Sequence, residues 1–142
     1  MLVALMRELA VFEDYADAFA VTEASVIEAG FGPEPRFGAL VAEADNGALV
    51  GMAVHYIIPW TYDLRPTLVL KELFVSPQAR GQGVGAALMA ALVAEGRRIG
   101  AGRINWTVMV GNARAEDFYR GLGGAPDAKW RPWTLPLESE ST

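Results

Sequence analysis

Apolar residues fall at Leu2, Leu5, Met6, Leu9 and Phe12, the three- and four-residue spacing that lays one stripe along a helix. The pattern predicts a helix from Leu2 to about Tyr15. Thr22-x-x-Ser25 opens a shorter helix to Ala29, with Gly30 as its stop. The period then changes. Runs at about 37–44 and 48–58 read as strands, joined by Asp45-Asn46-Gly47, a strong hairpin turn. Pro59 to Pro66, carrying Trp60, is a loop, and Thr67 to Val75 is a third strand. Helical spacing returns over 83–99 and ends in Arg97-Arg98 before Gly100. A strand at 103–110, a helix at 112–121 and a last strand at about 130–137, broken by Pro132 and Pro136, complete the pattern. Glu138 to Thr142 reads as a mobile tail. With no repeats and no linkers, this is one α/β (α+β) domain over residues 1–137.

Composition narrows the class. A chain of 142 residues, 52% hydrophobic and 20% charged, is long enough for one core and too apolar to be disordered. No apolar run approaches twenty residues and no signal peptide is visible, so the expected location is the cytoplasm, without a membrane partner. The absence of cysteine excludes disulfides, a cysteine nucleophile and thiolate metal sites, and the single His55 excludes a histidine cluster, so no metal is expected. Within its strand, His55 reads as a packed or surface histidine. Twelve basic residues against seventeen acidic ones, a net charge of −5, do not suggest a nucleic-acid partner. An acidic surface would draw in cationic substrates instead.

The chemistry starts at residues 75–86. The strand 67–75 ends at Ser76-Pro77, and Arg80-Gly-Gln-Gly-Val-Gly85 then leads into a helix. Strand, glycine-rich turn and helix together aim backbone N–H groups and the positive end of a helix dipole at an anion. Three glycines in five residues remove the Cβ atoms that would keep a phosphate away. A P-loop is excluded, because the only lysines are Lys71 and Lys129 and neither follows a glycine. The dinucleotide fingerprint is excluded too, since Gly81, Gly83 and Gly85 give G-x-G-x-G without an acidic residue near position 105. The bland alternative is a turn that lets a helix pack close to a sheet.

What remains, Arg80-x-x-Gly83-x-Gly85 after a strand, resembles the coenzyme A pyrophosphate loop of the GNAT acetyltransferases. Downstream, Asn112-x-x-Ala115-x-x-Phe118-Tyr119-x-x-x-Gly123 resembles that superfamily's second signature, at the expected distance. Met6 to Glu13, Gly30-Phe-Gly-Pro-Glu-Pro, Leu40 to Glu43, Val50 to Tyr56 and Leu70-Lys-Glu-Leu-Phe-Val75 are similar to its diamine branch, the spermidine/spermine and thialysine N-acetyltransferases. The resemblance implies a mixed, mostly antiparallel sheet splayed at the cofactor site, with flanking helices. It also implies a strand before the first helix, which this chain lacks. Either the start is late or the sheet has lost an edge strand, and such an edge would be open to cover by a partner chain. The family's usual homodimer is the expectation.

The resemblance also implies roles. Acetyl-CoA would be the co-substrate, with a small-molecule primary amine (a polyamine, diamine or lysine-like amino acid) as acceptor. Leu73, Phe74 and Val75 would hold the pantetheine arm and the thioester carbonyl. Gly81, Gln82, Gly83, Val84, Gly85 and Ala86 would bind pyrophosphate, with Arg80 beside it. Asn112 and Phe118 would line the arm, and Tyr119 would be the general acid to the thiolate, its pKa only slightly above that of the thiol. Phe12 and Glu13 align with substrate-contacting positions, and Trp60, Asn105, Trp106 and Thr107 are further candidates for the acceptor pocket. Glu72 would deprotonate the amine through an ordered water. In the diamine branch two adjacent acids usually stand where this chain has Lys71-Glu72. Two readings stand for Lys71: it meets a substrate carboxylate, or it faces solvent and does nothing specific. Two alternatives to the enzyme stand as well: a non-catalytic acyl-CoA binding module and a purely structural domain.

Overall fold

The computed structural model describes residues 2–13 and 16–137. They group into two compact units, one up to Thr107 and one from Val108 onward, each described on its own. The expected tail at 138–142 lies outside the described residues, as do Asp14 and Tyr15 at the expected end of the first helix.

In the first unit the stripe seen in the sequence forms helix α1, Leu2–Phe12, burying Leu5, Met6, Leu9 and Ala10. It ends earlier than expected. The acidic Glu13 that follows stands unfavourably at the negative end of the helix dipole. Helix α2 is Glu23–Phe31, started by a capping box in which Thr22 and Ser25 exchange side-chain-to-backbone hydrogen bonds. Gly30 does not stop this helix. A Cβ there would come within 2.6 Å of the Phe37 ring, so the glycine serves close packing inside the last turn.

Strands β1 (Gly38–Glu43), β2 (Leu49–Ile58) and β3 (Thr67–Val75) form antiparallel pairs, and β4 (Arg103–Asn105) adds to β3 in parallel. The hairpin turn is built as its sequence suggests, with Gly47 at φ 84° and Asn46 Oδ1 accepting from Ala48 N–H. Among the described residues no strand precedes α1, so β1 is a sheet edge. Helices α1 and α2 cover one face, where Leu5, Met6, Leu9 and Val26 meet Met52, Val54 and Phe74. Helix α3, Val84–Arg98, covers the other. Gly51 lies under Val84 and Leu88, and Gly96 lies over Leu68 and Ile104. His55 is buried on that side against Gly38, and burial holds its pKa below the ordinary value despite the opposing pull of Glu95.

Strand β4 is three residues long, not the eight expected for 103–110. Its ladder with β3 stops at Val69–Asn105. The last predicted strand, 130–137, is irregular backbone in the second unit. Pro132 and Pro136 remove the ladder donors a strand there would need. The second unit's helix α4, Ala113–Gly121, has Asn112 as its N-cap, with Oδ1 accepting from Ala115 N–H at 3.2 Å.

Candidate active site

The glycine turn has the backbone its composition calls for. Gly81 and Gly83 have φ of 80° and 78°, the left-handed region where a side chain is strained. A Cβ at either would meet nothing within 4 Å, so the requirement is conformational and the space in front of the turn is open. Gly83 caps α3 without a side chain, and no acid stands in the first turn. The first N–H groups of the helix, at Val84, Gly85 and Ala86, have no intrahelical acceptor. With the exposed Gln82, they form a positive, uncovered backbone surface that suits an anionic pyrophosphate.

The strand leading into this turn parts from its neighbour. Beyond Val69, β3 is paired only with β2, so the β4-facing edge of Leu70–Val75 carries no ladder. Leu73, Phe74 and Val75 lie on that edge, and Asn105, Trp106 and Thr107 begin the diverging side. Asn105 and Thr107 are exposed, while Trp106 is half-buried.

A bulge in β3 sets the side chains. Val54 pairs with Glu72 but His55 pairs with Leu70, leaving Lys71 as the extra residue. Glu72 and Phe74 therefore share the α1 face with Val54 and Met52, while Leu70 lies with His55 on the α3 face. In a regular strand Leu70, Glu72 and Phe74 would share one face. Lys71 Nζ sits 2.8 Å from Glu72 Oε1, and the other Glu72 oxygen is buried with no hydrogen-bond partner. Burial, and secondarily the charge of Glu72, raise the Glu13 pKa. Phe12 lies one residue away, and its ring stacks with the Arg80 guanidinium at 5.3 Å.

Arg80 is drawn back toward the sheet. It lies over Phe74 at 5.7 Å and donates from Nε to Val75 O at 3.1 Å. The structure thus gathers Phe12, Glu13, Lys71, Glu72, Phe74 and Arg80 along the C-terminal end of α1 and the second half of β3. Trp60 is not among them. Ile58 pairs with Thr67, so Trp60 belongs to the loop at the opposite end of β3, 63% exposed.

Two features escaped the sequence. Ser76 Oγ donates to Glu8 Oε2 at 3.0 Å, tying α1 to the start of the turn across 68 positions. Arg103 clasps the loop 59–66 through Thr61, Thr67 and Asp63, the last at 2.6 Å. Neither has a local pattern that could have announced it. In the second unit, the half-buried Phe118 and Tyr119 pack edge to face with centroids 5.3 Å apart.

A family model described as Acetyltransferase (GNAT) family matches residues 4–123. The chain belongs to the GNAT acetyltransferases. Membership makes it an N-acetyltransferase and accounts for the parted strands beside a bare glycine turn. Thialysine N-epsilon-acetyltransferase of Sus scrofa is 29% identical over 136 residues, covering 91% of this chain and 79% of that protein. A spermidine/spermine N(1)-acetyltransferase-like protein of Homo sapiens is also 29% identical, over 92% of this chain but 20% of its own length. Among solved structures, an aminoglycoside acetyltransferase from a soil metagenomic sample matches with TM-score 0.81 at 18% identity, covering 96% of this chain and 88% of that one. At that identity the likeness concerns the fold.

Proposed function

We propose that this GNAT enzyme works as one catalytic domain that moves the acetyl group of acetyl-CoA directly to the primary amine of a small molecule. The observation that carries the reading is the end of the β3–β4 ladder at Val69–Asn105, ahead of a glycine turn where a Cβ on Gly81 or Gly83 would meet nothing within 4 Å. Leu73, Phe74 and Val75 offer an unpaired strand edge to amide groups of an extended arm. Gly81 to Ala86 offer N–H groups to a pyrophosphate, with Arg80 as a further contact, and the roles of Asn112 and Phe118 along the arm rest on the family signature alone. The residues fit the donor, whose supplied chemistry is an activated thioester carbonyl.

The acceptor must reach that carbonyl as a neutral amine. Glu72, with one oxygen buried and without a hydrogen-bond partner, is suited to receive an ammonium and to pass its proton to water. Glu13 supports it, since a second carboxylate nearby favours a cation over an anion. The amine nitrogen bonds to the acetyl carbon, the carbon–sulfur bond breaks, and Tyr119 donates its phenolic proton to the departing thiolate. The surplus proton on the nitrogen passes to water, from which Tyr119 is reprotonated. The role of Tyr119 rests on its place in the family signature. A homodimer and a cytoplasmic location complete the reading.

The test compares wild type with Tyr119→Phe in acetyl-CoA-dependent thiol release and in thermal stabilisation by coenzyme A. Stabilisation should persist in the variant, because a ligand bound only to the native state raises stability whatever the chemistry. Turnover should fall by about 10²-fold or more, the usual contribution of a general acid. Unaltered turnover would remove Tyr119 from the mechanism. No stabilisation in either protein would contradict the cofactor assignment.

A further inference from the structure

The acceptor end of β3 already holds a cation of its own. Lys71 is the extra residue of the bulge, and the bulge turns its ammonium onto Glu72 Oε1 at 2.8 Å. Its side chain is 54% exposed, against 16% for Glu72, so the ammonium is the more solvent-accessible member of the pair. Glu72 keeps one oxygen unpartnered, and the Glu13 carboxyl lies near enough to feel its charge. Two carboxylates and one ammonium of the protein therefore meet here.

We infer that Lys71 is a specificity-determining residue of the acceptor site, selecting amines that bring an ammonium to Glu72 and a carboxylate to Lys71 over polycations that have no carboxylate. The inference rests on the acetyl-transfer reading above. A polycation without a carboxylate would set a positive group against Lys71, where like charges repel. An acceptor carboxylate would instead meet Lys71, which can leave Glu72 Oε1 as the substrate ammonium arrives.

The test is the ratio of kcat/KM for spermidine to that for L-lysine in wild type, Lys71→Ala and Lys71→Glu. Removing an exposed charge is worth up to about fivefold, so Lys71→Ala should raise the ratio by roughly that factor. Lys71→Glu reverses the charge and should raise it by about tenfold or more. The KM for acetyl-CoA should stay within about twofold in both, since neither change touches the glycine turn. Lys71 is exposed and pairs with no β2 residue, so Lys71→Ala should melt close to the wild type, while Lys71→Glu, which sets a third carboxylate beside Glu72, should melt lower. A ratio that stays within about twofold in both variants, or that falls, overturns the inference while leaving acetyl transfer intact. Wild type that releases no thiol with any amine overturns the underlying reading, and this inference with it.

Discussion

The strongest residue-scale consequence concerns Glu13. Burial first, and the charge of Glu72 second, raise its pKa above the ordinary 4.5. A carboxyl raised in the folded state contributes stability that is fully present below its unfolded pKa and is lost as pH rises through the folded value. Wild type should therefore lose stability relative to Glu13→Gln as pH rises upward from about 4, with the loss complete once Glu13 is ionised. Denaturant titrations of both proteins across that range check this, and parallel curves would show that Glu13 does not face Glu72 as described. Saturating cationic acceptor should reduce the loss, because it favours the ionised pair. Sequence alone suggested Glu13 and Glu72 only through likeness to relatives. Strand parity could not say which way Glu72 points, because the bulge at Lys71 has no signature in the residues 70–75 themselves.

At the scale of elements, the glycine turn was legible and the strands near it only partly so. Gly81 and Gly83 adopt positive φ, as a run of glycines before a helix suggests. The turn and α3 require Gly83 at φ 78°, where a β-branched side chain costs about 1–2 kcal/mol. Gly83→Val should lose that much stability and most of the stabilisation by coenzyme A. Gly100, at φ 75° beyond the other end of α3 and equally free of neighbours within 4 Å, provides the control. Gly100→Val should cost similar stability and leave the response to coenzyme A unchanged. Equal loss of response in both would mean that general destabilisation, not the turn, explains it. The overlong reading of 103–110 has a plain cause: an apolar, β-branched run looks like a strand whether or not a partner exists. Only the register shows that the ladder between β3 and β4 ends at Val69–Asn105. Gly30 misled for a related reason. A glycine at a helix end reads as a stop, while here it makes room for Phe37.

For the whole molecule, chain order carried most of the information. Two motifs at the right separation pointed to the family that the match over 4–123 then established, and the helix–strand order followed. Long-range ties were illegible, because Glu8–Ser76 and the Arg103 clasp join positions far apart with no periodicity between them. The net charge of −5 and the paired acids at the end of α1 agree with a cationic acceptor, and Lys71 narrows which one. The central claim is acetyl transfer from acetyl-CoA to a small primary amine. It is tested most directly by thiol release from acetyl-CoA with purified wild type against L-lysine, thialysine, short diamines, spermidine and aminoglycosides, with the acetylated product identified by mass spectrometry. Amine-dependent release with matching N-acetylated product, strongest for the lysine-like amines, is the expected result. Clear stabilisation by acetyl-CoA without release for any of these amines would contradict it and leave a fold that binds the cofactor without this transfer.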